Sequence, residues 1–130
     1  MLKIGKGSTV YIDLPSPDSK HLFFVLTQPF GEPPVVIMVN ISTVRGLRFE
    51  DHTTILDCGD HPYITHRSFV AFDYARKIRV DVIEQKINEG STQLMDDLSD
   101  DIVQRILEGF LRSSRTPSDL KSICRKLEKS

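Results

Sequence analysis

The chain has 130 residues, of which 39% are apolar and 27% are charged, and its formal net charge is -1. This composition is ordinary for a soluble globular domain, and no apolar run approaches the roughly 20 residues that cross a bilayer, so a membrane-spanning protein is excluded. A charge this close to zero also argues against a protein that coats nucleic acid through a bulk positive field.

The length predicts a single domain over residues 1–130, whose core needs neither a disulfide nor a metal. The two cysteines, Cys58 and Cys124, fit reduced thiols better than a disulfide framework. The first seven residues lack the long apolar stretch of a secretory signal, so we expect a cytoplasmic protein.

The first 83 residues predict a series of strands. Apolar and polar residues alternate from Ser8 to Leu14, which is typical of a half-buried strand. Two continuous apolar runs, 22–26 and 35–41, are joined by a loop rich in Pro and Gly and predict an antiparallel hairpin. Shorter candidates bring the total to about six strands of a small barrel spanning about 7–83, namely 53–57, 69–72 and 78–83.

After Gly90 the apolar period changes from that of a strand to that of a helix. The first helix is predicted by one apolar stripe at helical spacing, formed by Ile102, Val103, Ile106, Leu107, Phe110 and Leu111. Ser99 is placed to cap this helix, and Thr116 with Pro117 predicts the start of a second one. The two helices predict a hairpin over about 96–128, packed on the barrel or on a second subunit.

One segment, residues 59–68, concentrates polar chemistry that neither a strand nor a helix requires. It holds two imidazoles, a carboxylate, two aliphatic hydroxyls and a guanidinium within ten residues. Pro62 disfavours a helical backbone at His61, so we expect this imidazole to be presented in an extended turn. The alternative is a surface turn in which Asp60 caps its own backbone.

Three strings in the strand region resemble the PemK/MazF family of toxins from toxin–antitoxin modules: Gly7 to Asp13, His21 to Thr27 and Val39 to Thr43. The likeness covers roughly residues 7–115, and it implies a mainly β protein with C-terminal helices, built as an SH3-like barrel of the MazF/CcdB type. It also implies a homodimer, single-stranded RNA as the substrate, a cognate antitoxin protein as a partner, and cleavage without a metal or another cofactor.

The chain departs from the family pattern before the second strand. Active members resemble Gly-x-Arg-Pro there, with an arginine that handles the reacting phosphate, whereas this chain reads Asp18-Ser19-Lys20-His21. The hydroxyl that follows the third strand is kept, because Ser42 and Thr43 resemble the family's Thr-Ser. Catalysis in this chain would therefore depend on side chains other than the family's arginine.

Metal-independent RNA cleavage needs a base for the 2'-OH, an acid for the departing 5'-oxygen, and a donor for the charge on phosphorus. We predict His21 and His61 as the acid–base pair, because histidine titrates near physiological pH. Thr43 or Ser68 is the predicted hydroxyl donor. The predicted substrate-binding residues are Lys20, Ser42, Arg45, Arg67 and Tyr63, of which Lys20 or Arg67 faces the phosphate.

Three other interpretations stay open. The barrel could be a non-catalytic interaction module that binds a partner protein or nucleic acid, which the missing arginine favours. His21 could be a strand-start residue bonded only to the backbone. A metal site is disfavoured, because its candidate ligands have no matching second pair of the kind found in structural zinc motifs; these ligands are Cys58, Asp60, His61 and His66.

Overall fold

The computed structural model describes residues 4–13 and 20–129, and every structural statement below concerns those residues. The predicted end of the first strand at Leu14 lies outside them. The described residues form six strands and three helices: β1 (Thr9–Asp13), β2 (Lys20–Val25), β3 (Val35–Thr43), β4 (Ile55–Leu56), β5 (Ser68–Arg79), α1 (Val80–Glu89), β6 (Thr92–Met95), α2 (Asp100–Arg112) and α3 (Ser118–Lys129).

The strands form one antiparallel sheet in the order β4-β5-β3-β2-β1-β6, curled into a half-barrel. The predicted hairpin is confirmed, because β2 and β3 pair through Phe23 with Asn40 and Val25 with Met38. The candidate strands at 69–72 and at the start of 78–83 belong to one strand of 12 residues, β5. β5 is therefore longer than either of the short strands that the sequence predicts there.

Each face of the sheet carries its own apolar cluster. On the first face, Phe24 of β2 and Val39 of β3 pack with residues of α2 and α3, among them Phe110 and Leu120. On the second face, residues such as Met38 pack with α1. Successive side chains of a strand point to opposite faces, so the apolar runs in β2 and β3 are explained by helices covering both sides.

The strand predicted at 78–83 is wrong from Val80 onward, where α1 begins. Val80, Ile83 and Ile87 lie three and four residues apart and place one apolar helix face on the sheet. Gly90 then ends α1 in the left-handed conformation, at φ 86°, which glycine adopts without a steric penalty. Since α1 and the unpredicted β6 precede the helical tail, the described fold is mixed α/β. Its curled half-barrel sheet with helices is compatible with the predicted small barrel plus helices.

The two predicted tail helices are confirmed, and they pack on the sheet of the same chain. Ser99 caps α2, because its Oγ accepts a hydrogen bond from the N–H of Ile102 at 3.4 Å. Thr116 does not cap α3 through its side chain, since its buried hydroxyl has no partner. Instead the carbonyl of Pro117 accepts the N–H of Leu120 and starts the first turn.

Both cysteines are free thiols, with Cys58 exposed and Cys124 buried in the first-face core. Burial raises the pKa of the Cys124 thiol. None of the described helices has the length and apolar character that crossing a lipid bilayer requires.

Candidate functional site

A groove opens where β2 and β3 separate at one end of the sheet. The β2–β3 pairs end at Phe23 and Asn40, whereas β2 stays paired with β1 as far as Lys20 and β3 stays paired with β5 as far as Thr43. Residues 20–22 and 41–43 are therefore not paired with each other. The groove has a volume of about 850 Å³, and both strand ends line it.

Most of the site residues predicted from the sequence lie in this one groove. Its lining includes six of them, namely His21, Ser42, Thr43, Arg45, Tyr63 and Ser68. Arg67 is exposed and does not line the groove. Lys20 begins β2, but its side chain lies outside the described part of the structure.

His61 is buried next to the groove, and its side chain is 3% exposed overall. Its Nε2 donates to the carbonyl oxygen of Asp96 at 2.6 Å, and its Nδ1 accepts the N–H of Tyr63 at 3.1 Å. A carbonyl only accepts and an N–H only donates, so the imidazole is held as the Nε2–H tautomer. Both ring nitrogens are thus engaged, and the acid–base chemistry predicted for His61 would require one of these hydrogen bonds to break.

Replacing His61 with alanine should lower the free energy of unfolding by about 2–4 kcal/mol, because it leaves a cavity beside Phe24 and removes both ring hydrogen bonds. Urea denaturation measures this change. The same substitution at the exposed His66 is the matched control and should stay within about 0.5 kcal/mol. Equal stability losses in the two variants would contradict the structural role of His61.

His66, and not His61, is the histidine of the 59–68 segment that lines the groove. Its side chain is exposed and lines the groove, while its carbonyl oxygen accepts the hydroxyl of Ser68 at 2.8 Å. The Ser68 hydroxyl proton is thus already engaged. Thr43, which pairs with Ser68 across β3 and β5, is exposed and lines the groove.

A wide bulge in β5 adds two lining residues that the sequence did not indicate. Met38 pairs with Arg76 and Asn40 with Ala71, so four residues of β5, numbers 72–75, stand opposite one residue of β3. The outer two of the four are buried, whereas Asp73 and Tyr74 are exposed and line the groove. Bulges commonly redirect side chains next to functional sites.

The β3–β4 loop, residues 44–54, forms another wall of the groove and is held by a buried carboxylate. Glu50 accepts the N–H groups of Arg45 at 2.7 Å and Gly46 at 3.1 Å, and the Nε2–H of His52 at 2.8 Å. Burial alone would raise the pKa of Glu50, but the hydrogen bonds from His52 and the backbone outweigh it and lower the pKa. Glu50 thus stays ionised and fixes the backbone that carries Arg45.

Asp51 ties the same loop to the turn between α2 and α3. Its carboxylate accepts the hydroxyl of Ser113 at 2.5 Å, and the N–H of Thr53 at 3.0 Å together with the Thr53 hydroxyl. Burial would raise the pKa of Asp51, but these hydrogen bonds and the positive charge of Arg115 lower it. The loop therefore depends on an ionised carboxylate for its contact with the helices.

Replacing Asp51 with asparagine should lower stability at pH 7 by about 1–3 kcal/mol, because charge-assisted hydrogen bonds are lost. A lowered folded-state pKa means that the ionised group stabilises the fold above the unfolded-state pKa, and that this stabilisation disappears as the pH falls. The difference between wild type and variant should therefore shrink below about pH 4. Urea denaturation at pH 7 and pH 3 measures it; an unchanged difference would contradict this.

The groove mixes positive and negative groups. Arg45, His21 and His66 face it, and so do Glu50 and Asp73. Glu50 is already hydrogen-bonded to its own loop, whereas Asp73 lies on β5 and takes no part in that network. Positive and negative groups therefore occur together along the described lining, which carries no wide positive field.

Asp60, the carboxylate of the 59–68 segment, has structural contacts. Asp60 accepts the N–H of Asp57 at 2.8 Å, as the surface-turn interpretation predicted, and lies 3.5 Å from Arg105. Within residues 4–13 and 20–129, no group of three or more His, Cys, Asp or Glu side chains is arranged to hold a metal ion.

No family model, curated protein or solved structure matches this chain, so its likeness to PemK/MazF toxins stays a prediction.

Proposed function

We propose that the groove binds single-stranded RNA and cleaves it without a metal. The observation that carries the proposal is that two accessible imidazoles, His21 and His66, line the same groove as the Thr43 hydroxyl and the Arg45 side chain. A metal-free attack by the 2'-hydroxyl group requires a general base and a general acid, and two imidazoles can fill both roles. The half-barrel with a groove at its open end is also compatible with the SH3-like barrel that the PemK/MazF resemblance implies.

In the proposed reaction, one imidazole takes the proton from the 2'-OH as its oxygen attacks phosphorus. The other imidazole gives a proton to the 5'-oxygen as the P–O5' bond breaks, which leaves a 2',3'-cyclic phosphate and a 5'-hydroxyl. Thr43 donates a hydrogen bond to the charge that develops on phosphorus, and Arg45 neutralises it. In this proposal Arg45 contacts the reacting phosphate, which is the role of the family's arginine that is missing before β2.

The test is to incubate the purified protein with a single-stranded RNA oligonucleotide in excess EDTA and to identify the products by mass spectrometry. We expect fragments ending in a 2',3'-cyclic phosphate, and no cleavage of the same strand made with 2'-O-methyl nucleotides. A His21→Ala variant, purified identically, controls for contaminating ribonuclease. RNA that stays intact at high protein concentration would refute the nuclease proposal.

The second candidate is a non-catalytic interaction module. It is favoured by the engagement of the Ser68 hydroxyl and both nitrogens of His61, which leaves fewer reactive groups than the sequence suggested. Binding of RNA or of a protein partner without cleavage would select this function. A homodimer and a cognate antitoxin are parts of the first proposal that the resemblance alone supports, and sedimentation and co-expression with the neighbouring gene test them.

A further inference from the structure

We propose that Phe49, Tyr63 and Tyr74 form a stacking surface that holds unpaired nucleobases at the groove, which makes the substrate a single strand with accessible bases. This inference rests on the proposed function and assigns the side chains that hold the bases of its single-stranded substrate. The three side chains are 68%, 54% and 62% exposed. Among the described residues, they are all the exposed Phe and Tyr side chains, and all three line this groove.

The backbone of Phe49, in the β3–β4 loop, is held by Arg115 from the turn between α2 and α3. Its carbonyl oxygen accepts a hydrogen bond from the guanidinium of Arg115, and the next two residues, Glu50 and Asp51, are the buried anchors described above. An aromatic side chain held on a rigid backbone loses less conformational entropy on binding than one on a free loop. Phe49 can therefore stack on a base with a small loss of backbone entropy.

Tyr63 is positioned by His61. The N–H of Tyr63 donates to the Nδ1 of His61, and the two rings lie 6.0 Å apart between centroids, tilted by 38°. The buried imidazole therefore acts as a support for the exposed phenol ring. His61 thus connects the core beside Phe24 to the exposed ring of Tyr63.

Tyr74 is directed outward by the bulge in β5. Phe72 and Ala75 flank the exposed pair and are both part of the first-face core, which holds the two ends of the bulge in the sheet. Asp73 and Tyr74 then project into the groove. The three aromatic side chains are thus carried by three separate segments, each fixed by buried contacts.

Nucleobases are the occupants that suit this arrangement. Every base has a flat π face, and stacking on an aromatic side chain is sequence-tolerant and contributes about 1–3 kcal/mol per base. Arg45, His21 and His66 provide positive or protonatable groups among the aromatic residues, as a phosphate backbone requires. Bases within a duplex are already stacked and paired, so the surface selects single strands.

The experiment measures the Kd of a fluorescent 2'-O-methyl RNA strand, which cannot be cleaved, at fixed salt. We expect Phe49→Ala and Tyr74→Ala each to weaken binding by about 5–100-fold, and Phe49→Tyr and Tyr74→Phe to retain it. Phe49→Leu should lose affinity although it stays apolar. Leu94→Ala removes an exposed apolar side chain outside the groove and should leave the Kd unchanged.

An abasic strand of the same length separates stacking from backbone contacts. Its Kd should not respond to Phe49→Ala or Tyr74→Ala, because it has no base to stack. Equal losses for abasic and normal strands would overturn the stacking surface, and so would unchanged affinity in both alanine variants. If Phe49→Ala instead converts a dimer into a monomer in sedimentation without changing the Kd, the patch is an interface with a second copy.

The failure of this inference is distinguishable from failure of the proposed function. Cleavage of unmodified RNA that continues at the wild-type rate in both alanine variants removes the stacking surface and keeps the nuclease. The absence of both cleavage and binding in the wild-type protein removes both proposals together.

Discussion

Replacing His21 with alanine should lower the single-turnover rate of RNA cleavage by about 10²–10⁴-fold, because general acid–base catalysis by one imidazole contributes that much. His21 lies at the start of β2, is only partly buried and lines the groove. Quenched single-turnover reactions with excess protein measure the rate without interference from product release. Thermal unfolding of the same sample shows whether the variant is folded.

His66→Ala should give a loss of similar size, and the double variant should be scarcely slower than either single one. When two residues act together in one chemical step, removing one of them abolishes most of the rate enhancement, so removing the other as well lowers the rate little further. The pH–rate profile should lose one limb in each single variant, since an acid and a base give a bell-shaped profile. If His21 had only a structural role, the cleavage rate of His21→Ala would fall by the same factor at every pH, and the profile would keep its bell shape.

Arg67→Ala is the control for these variants, because Arg67 was a predicted substrate residue that the structure leaves outside the groove lining. Its rate should stay within about threefold of wild type, as expected for an exposed side chain away from the chemistry. A cleavage rate unaffected by His21→Ala but reduced by Arg67→Ala would place the reacting phosphate elsewhere on the surface.

The parts of the fold that the sequence predicted are those in which local pattern and burial agree. β1, α2 and α3 carry periods of two or of three to four residues that match the faces they bury, and β2 and β3 are continuous apolar runs covered on both faces. In α1 the two periods conflict, since Ile78, Val80 and Val82 alternate like a strand while Val80, Ile83 and Ile87 have helical spacing. The helix forms because it packs Val80, Ile83 and Ile87 against the second face of the sheet.

The candidate site was predictable where it depends on strand ends, and not where it depends on distant contacts. His21, Thr43 and Ser68 meet because neighbouring strands of one sheet carry them. Whether His61 or His66 turns inward depends on the carbonyl of Asp96, which is 35 residues away in the chain. The bulge in β5 likewise reflects the shifted pairing with β3, which no local pattern records.

Gly109→Ala should destabilise the protein by about 2–3 kcal/mol, although alanine is the better helix former by about 1 kcal/mol. Gly109 lies within α2, where a Cβ would come to 1.8 Å from Oγ1 of Thr54 and 3.0 Å from Cζ of Phe72. Rotation of the Thr54 hydroxyl would still leave Cβ of Thr54 at 3.1 Å from the new Cβ, and the backbone of Thr54 is held because its carbonyl accepts the N–H of Val70 at 3.2 Å. The absence of a side chain is therefore what lets α2 approach the sheet.

The cause can be isolated with a second substitution at the contact. Thr54→Ala removes the overlapping Oγ1, which is buried without a partner, so Thr54→Ala combined with Gly109→Ala should recover at least half of the lost stability. Urea denaturation of the four proteins gives the coupling free energy, expected at about 1 kcal/mol or more. Glu108→Ala, on the exposed side of the same helix, should change stability by less than about 0.5 kcal/mol. If the two contact substitutions were simply additive, steric overlap would not be the reason for glycine at position 109, and α2 would have room to move.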